Sequence, residues 1–461
     1  MEIVVIGMGY MGIPLATLLA NVEGFNVTGV QRRSKRSEWK IKYLNSGRSP
    51  IKSEEPELAE LLKKVVLDGS FRVTNDISVC TDADIILIAV QTPVDEKYVP
   101  QYESLKEVSQ SIGRFMKKGT LVAIESTVAP GTTKYVVKPI LEESSGLNVG
   151  DDFNLVFSYE RITVGRLIYN IRNMPKIVGG FTHACTKRGV AFYKNIVQAE
   201  IYTTDILTAE ISKITENAYR DVNIAFANEI ALVCESLGAN VHKVREIVNS
   251  LPHDPSNQAK NPYRMMHIPG AGVGGHCLPK DTWLLKYSIE TFGRKHVPLT
   301  LLTESRLIND YMPQHMMELI KDALKEQQLH LEEARICILG FAFLEDSDDT
   351  RNTPALTLYK LLVSNCEDVL IHDPYVDAQD GVMLTKDLRK AVKGRNCVAI
   401  VTRHREYLDI QLDWLKSNLT TPIIVDGRNV FKPEDAVDAG FTYRGVGIGT
   451  STRLSWHSDL I

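Results

Sequence analysis

Two stretches of this chain alternate short β-branched, apolar runs with helical patterns, and a long helical stretch without Gly or Pro lies between them. In the first, up to about residue 200, the runs are "EIVVIG", "NVTGV", "ADIILIAV", "TLVAIEST" and "FNLVFSYE". In the second, after about Leu331, they are "ARICILGFAF", "DVLIHDP", "NCVAIVT" and "PIIVDGR". Near-continuous apolar runs mark strands buried on both faces of a parallel sheet, and parallel neighbours require crossover helices between them. Between the two stretches, Asp205 to Leu237 places apolar residues at helical intervals and predicts one helix. The expected fold is α/β: two Rossmann-like doubly wound domains joined by a central helical domain with one long helix. Its expected boundaries are residues 1–203, 204–310 and 311–461. A chain of 461 residues has room for this, because a single core stops growing well short of that length.

A formal net charge of −4 gives no reason to expect nucleic acid as a partner. The basic run "QRRSKRSEWKIK", Gln31 to Lys42, reads first as a solvated helix face. No apolar run is long enough to span a bilayer, and the opening "MEIVVIGMGYMG" has no basic n-region, so neither membrane nor signal peptide is expected. The seven cysteines, at 80, 185, 234, 277, 337, 366 and 397, form no C-x-x-C pair and no His-Cys cluster at zinc-ligand spacing. No metal is therefore expected, and free thiols point to a reducing compartment, the cytoplasm.

Gly7-x-Gly9-x-x-Gly12 follows a strand and opens a helix, with Tyr10 and Met11 in the variable places. Glycines so spaced tighten the turn and let backbone amides approach a pyrophosphate, so a dinucleotide is expected. At the end of the second strand an NAD site usually carries an acid, whereas this chain has Gln31, Arg32 and Arg33. NAD is the expected cofactor, and the arginines leave NADP as the alternative. In "GAGVGGHCLPKDTW" Cys277 ends a run of glycines and precedes Pro-Lys-Asp. Glycines expose the sulfur and nearby N–H groups, which suits a nucleophile, while a structural cysteine in a turn is the plain alternative.

"GMGYMG", "VQTPVD", "ESTVAPGTT", "AEISKITENAYRDVNIAFANE", "GVGGHCLPKD", "DDTRNTPAL" and "VDGRNV" run through the whole chain. In that order they resemble the UDP-glucose/GDP-mannose dehydrogenase family, which oxidises the C6 alcohol of a nucleotide sugar to a carboxylate. "TENAYRDVNIAFANE" and the Gly-Gly-His-Cys form look more like its branch acting on 2-acetamido sugars, UDP-N-acetylmannosamine foremost, than like the UDP-glucose branch. UDP-linked glucose, N-acetylglucosamine and N-acetylgalactosamine are the alternative substrates, and surface polysaccharide is the expected destination of the uronate.

The resemblance implies a role for each matching residue. Cys277 adds to the aldehyde to give a thiohemiacetal, whose oxidation yields a thioester that water hydrolyses. Lys213 stabilises the alkoxide, Asn217 holds it or a water, and Asp281 works with the lysine and water in proton transfer. Glu160 serves hydrolysis or substrate contact, Arg161 is typical of the acetamido-sugar branch, and Thr127 positions a water near the lysine and counts among the cofactor-binding residues. Thr92 and Pro93 bring backbone close to the cofactor. Gly274 and His276 belong to the substrate side, His276 in packing or sugar choice. Arg428 reaches the substrate or its phosphates, with Arg351 a weaker counterpart and Arg264 a contribution across a dimer interface.

The plain alternatives are a helix cap for Thr127 and Asp281, a solvated helix position for Lys213 and Asn217, and a salt bridge for Arg428. Departures from the family are Tyr159 in place of its proline, a turn "FLEDSDDTR" that lacks its lysine, and a longer segment at 252–272. A homodimer built on the central helices is also implied. Two other readings carry less. A two-electron dehydrogenase of the 6-phosphogluconate or hydroxyacyl kind needs neither Cys277 nor a second α/β domain, and a nucleotide-sugar sensor has no need of Cys277, Lys213, Asn217 and Asp281 together.

Overall fold

In a computed structural model of the chain, residues 1–32, 34, 38–51, 55–162, 165–251, 256 and 265–449 are described. Arg33 and Arg264 lie outside the described residues. By internal packing the chain divides into two units. The first comprises Met1–Glu216 and Trp283–Pro298, the second Asn217–Thr282 and the chain from Leu299 onward.

The first unit holds an eight-stranded sheet. Its strands are β1 (Glu2–Ile6), β2 (Asn26–Val30), β3 (Phe71–Thr74), β4 (Ile85–Ile88), β5 (Leu121–Ile124), β6 (Asn154–Phe157), β7 (Lys176–Gly180) and β8 (Ile201–Asp205), in the spatial order β3-β2-β1-β4-β5-β6-β7-β8. Neighbours pair in parallel except β6 with β7. Alternation along a strand divides its side chains between two cores. Ile3 and Val5 join one with Leu15 and Leu19 of the Gly12–Ala20 helix, while Val4 and Ile6 join the other with Ile86 and Ile88. Burial on both faces explains the unbroken apolar runs, at about 1.5–3 kcal/mol for each large side chain removed from water.

The second unit repeats the order. β9 (Arg335–Leu339), β10 (Asp368–His372), β11 (Leu384–Thr385), β12 (Cys397–Ile400), β13 (Ile423–Asp426) and β14 (Thr442–Gly445) lie as β11-β10-β9-β12-β13-β14, all parallel. The first six strands of each sheet thus follow the 3-2-1-4-5-6 order of a doubly wound dinucleotide fold. After β9 the chain turns through Gly340 at φ 92°, and the amides of Phe341 and Ala342 donate to Asp373 Oδ2 at 2.7 and 2.8 Å. Asp373 Oδ1 accepts from the amides of Tyr375 and Val376 at 2.8 and 3.0 Å, and His404 Nε2 lies 3.1 Å from Oδ2. Burial opposes the charge of Asp373, but His404 and the amides more than offset it and hold the carboxyl below its usual range.

The expected long helix spans Ile206–Leu237, 32 residues, followed by helices Val241–Asn249, Leu278–Phe292 and Thr300–Glu326. Among the described residues no helix is long and apolar enough to cross a membrane.

Candidate active site

Where the chain leaves β1, Gly7 has φ 104° and a Cβ on it would lie 2.4 Å from the Ala89 carbonyl oxygen. A Cβ on Gly12 would lie 1.9 Å from the Gly7 oxygen, whereas one on Gly9 would meet nothing within 4 Å. The turn therefore requires glycine at its ends and leaves space above its middle, beside the half-buried Tyr10 and Met11. The Gly12–Ala20 helix has no side-chain cap at Met11 and no acid in its first turn, which suits an anion at its N-terminus. These residues fit a dinucleotide pyrophosphate.

Gln31 lies half-buried, and its Oε1 accepts from the Met8 amide at 3.3 Å, bracing the same loop. Arg32 is exposed and stands 3.7 Å from the Glu107 carboxylate, a pair that water screens heavily. Thr92 Oγ1 donates to the Thr127 carbonyl at 2.5 Å, and Pro93 O accepts from the Gln101 amide at 2.8 Å, so the segments after β4 and β5 are tied together. Thr127 is not a helix cap, since the next helical turn begins at Thr133.

At the same end of this sheet, Glu160 lies just beyond β6 and is buried. Its Oε1 accepts from Lys176 Nζ at 2.6 Å, and its carbonyl accepts from Lys213 Nζ at 3.0 Å. Lys213 also sits over the Tyr159 ring, 5.1 Å from its centre. Tyr159 O–H donates to Glu216 Oε1 at 2.7 Å, and Arg161 grips the same carboxylate through Nε, at 2.9 and 3.2 Å, and Nη2. The tyrosine that replaces the family's proline is therefore a working part of the loop. Lys176 carries no sequence signal that marks it, whereas its second carboxylate, Glu125, opens the "ESTVAPGTT" motif without being marked there as a site residue.

In the second unit, Cys277 immediately precedes the Leu278–Phe292 helix, and its carbonyl accepts from the amides of Lys280 and Asp281, both at 3.0 Å. A sulfur at a helix N-terminus has its thiolate favoured by the amides and dipole there. Cys277 is half-buried, whereas Cys80, Cys185, Cys234, Cys337 and Cys397 are buried. Burial pushes the thiols of Cys80 and Cys337 up to about 12, which marks them as inert core residues. Asp281 is buried, and its carboxylate accepts from Asn217 Nδ2 at 2.6 Å and Lys280 Nζ at 3.0 Å. Asn217 and Asp281 thus meet, a contact that the motifs do not predict. Burial, with Lys280 and Arg351 nearby, brings His276 down to about 4, so its ring is neutral at pH 7 and suits packing better than charge.

The backbone before Cys277 is pinned closely. A Cβ on Gly274 would lie 2.5 Å from Phe343 Cβ, and the Gly275 amide donates to Arg351 O at 2.8 Å. The Gly270 amide donates to Asn228 Oδ1 at 2.9 Å. Arg428 pins the same backbone, its Nε donating to Val401 O at 2.7 Å and its Nη2 to Gly272 O at 3.1 Å. The Arg351 guanidinium meets Asp349 of its own turn, Nε donating at 2.8 and 3.1 Å. In this structure both arginines hold the chain itself.

Residues 1–197 match the NAD binding domain of the UDP-glucose/GDP-mannose dehydrogenase family, 207–311 its central domain and 337–433 its UDP binding domain. The chain is 35% identical over 451 residues to a UDP-N-acetyl-D-mannosamine dehydrogenase of Pyrococcus horikoshii, covering 97% of this chain and 100% of that one. It is also similar to the solved structure of an NDP-N-acetyl-D-galactosaminuronic acid dehydrogenase from Methanosarcina mazei Go1, with TM-score 0.87, 39% identity, and 97% and 95% of the two chains covered. The solved UDP-D-ManNAc dehydrogenase from Pyrococcus horikoshii superposes with TM-score 0.88 at 34% identity, covering 98% of this chain and 100% of that one.

Proposed function

Since the chain belongs to the UDP-glucose/GDP-mannose dehydrogenase family, an NAD-dependent oxidoreductase family acting on nucleotide sugars, we propose that its substrate is a UDP-linked 2-acetamido sugar. UDP-N-acetylmannosamine is the sugar we favour, oxidised at C6 to the uronate for surface polysaccharide. The observation that carries the chemistry is Cys277 at a helix N-terminus, with Asp281 and Asn217 hydrogen-bonded one turn away.

Within this reading residues 1–203 hold the cofactor, 204–310 supply the catalytic helices and 311–461 take the UDP-sugar. NAD, when bound, accepts hydride, and two NAD in succession would take up the two hydrides of one turnover. Lys213 and Asn217, four residues apart on one helix, stabilise the oxyanion that forms at C6. Asp281 takes up the alcohol proton. The Cys277 thiolate then adds to the aldehyde carbon, and the resulting adduct has a C–H bond whose hydride can leave, giving a thioester. A water oxygen next bonds to the acyl carbon, its proton passes to Glu160, and the C–S bond breaks to return the thiolate. Thr92, Pro93 and Thr127 line the cofactor side, while Arg161, Gly274, His276, Arg351 and Arg428 shape the sugar and phosphate side, Arg428 through the loop that it holds.

The test is absorbance at the reduced-nicotinamide band across a panel of UDP- and GDP-sugars, with NAD and NADP supplied separately. The expected result is two equivalents of reduced cofactor per UDP-N-acetylmannosamine, the count that four-electron oxidation requires, with NAD preferred. The Methanosarcina relative is named for galactosaminuronic acid, so faster turnover of UDP-N-acetylgalactosamine would change the epimer and keep the mechanism. One equivalent per sugar would sink the four-electron reading, and silence from folded protein would favour a sensor.

We further propose a cytoplasmic homodimer. All seven cysteines are free, which fits a reducing compartment. Tyr219, Phe226, Val233 and Leu237 form a stripe on the long helix, 70%, 52%, 45% and 78% exposed, and a second copy of this helix would cover them. Tyr219→Glu with Phe226→Glu should give a monomer by light scattering; a folded double variant that keeps the parental mass would refute this interface.

A further inference from the structure

Glu125, Glu160 and Lys176 come from three places in the sequence and meet at one end of the first sheet. Glu125 follows β5 directly, and Glu160 stands just past β6. Because β7 runs antiparallel to β6, its first residue, Lys176, arrives at the end where β5 and β6 finish. The Lys176 side chain is 2% exposed, and those of Glu125 and Glu160 are 0% and 5%. An ammonium has three N–H groups, and here three acceptors face it: Glu160 Oε1 at 2.6 Å, Glu125 Oε2 at 3.0 Å and Ser158 O at 3.2 Å. The other Glu125 oxygen accepts from Tyr193 O–H, and Lys176 lies 4.5 Å from the centre of that ring.

A buried ion cluster of this kind stabilises a fold no better than apolar residues of the same volume. What it does supply is direction. With every N–H engaged, Lys176 cannot rotate, and the Glu160 carboxylate that it holds is fixed in place. We propose that Lys176, clamped by Glu125, is a positioning residue that sets the Glu160 carboxylate to accept the proton of the hydrolytic water; this rests on the role given to Glu160 above. Burial works against the Lys176 ammonium, but the two carboxylates more than offset it, so the lysine stays charged. Burial pushes Glu125 up to about 7. Lys213, which donates to the Glu160 carbonyl, anchors the same residue from its backbone side.

The test separates acylation from hydrolysis. In rapid mixing with UDP-N-acetylmannosamine and NAD, Lys176→Met and Glu160→Gln should both release reduced cofactor in a burst at near-parental rate. Both should then turn over slower by about two orders of magnitude, with an acyl adduct on Cys277 visible by intact-protein mass spectrometry. Lys176→Arg should recover most of the loss. Should Lys176→Met fail to fold, the isosteric Glu125→Gln serves, with the burst kept and steady turnover roughly tenfold slower.

If Glu160→Gln accumulates the adduct while the Lys176 or Glu125 variant hydrolyses it at the parental rate, the positioning role is wrong and the role of Glu160 stands. If Glu160→Gln itself accumulates nothing, the role of Glu160 falls, and the positioning role falls with it.

Discussion

Cys277→Ser should abolish uronate formation, lowering net turnover by about four orders of magnitude or more while the protein stays folded and binds cofactor and sugar. Removing hydride from the alcohol needs no thiol, but the aldehyde has no second hydride to give until a nucleophile adds to its carbon. Thiolate adds readily near neutral pH, whereas a serine hydroxyl at the same helix N-terminus is almost wholly protonated. The first oxidation can still occur, and a carbonyl reagent should trap a trace of aldehyde. Full acid production by the variant would overturn the thiohemiacetal route and return Cys277 to its plain reading as a turn cysteine.

The largest effect on stability is expected at Arg306, whose side chain is fully buried between the central helices of the second unit. Its Nη1 donates to Asp221 Oδ1 at 2.6 Å, and Asn309 donates to the same oxygen at 2.9 Å. Asn309 Oδ1 in turn accepts from Asn228, which holds the Gly270 amide, so the network reaches the loop that carries Cys277. Arg306→Met leaves the Asp221 carboxylate buried without its cation, at a cost of about 3–5 kcal/mol, read as a lower denaturation midpoint.

Burial already pushes Asp221 up to about 6, above its unfolded value. The native state therefore binds the extra proton, and the stability this group contributes at low pH is lost as pH rises through about 6. The Arg306→Met penalty should accordingly be smaller at pH 5 than at pH 8. An equal penalty at both values would show that lost packing, rather than a stranded charge, destabilises the variant. Arg306→Met with Asp221→Leu should recover most of the loss, because it removes the buried pair together and leaves only Asp310, the second partner of Arg306, whose side chain is 44% exposed.

Much of this is legible in the chain because the features are local. β1, β2, β4, β5 and β6 lie where apolar runs announce them, and the helix expected from Asp205 to Leu237 is found at Ile206–Leu237. Motif resemblance singles out Lys213, Asn217, Cys277 and Asp281 as candidates, but the hydrogen bond between Asn217 and Asp281 appears only in the structure. What stays hidden depends on strand direction and on side chains reaching backbone far away. "MPKIVGG" has no motif that marks Lys176, and its importance appears only once β7 is seen to run against β6. Arg428 suits a phosphate on the strength of its guanidinium, but its partners are carbonyls, one of them 156 residues away in the sequence.

The two sheets repeat one strand order, yet they do not offer equivalent crevices. After β1 the glycine turn leaves space above Gly9, with no side-chain cap on the helix that follows. After β9 the corresponding amides already hold Asp373, which four backbone N–H groups and His404 keep charged and in place. The second fold therefore carries a tethered anion of its own, and a phosphate arriving at those amides would have to displace a resident that never diffuses away. The second turn is thus electrostatically ill-suited to a phosphate, and the first is open to one.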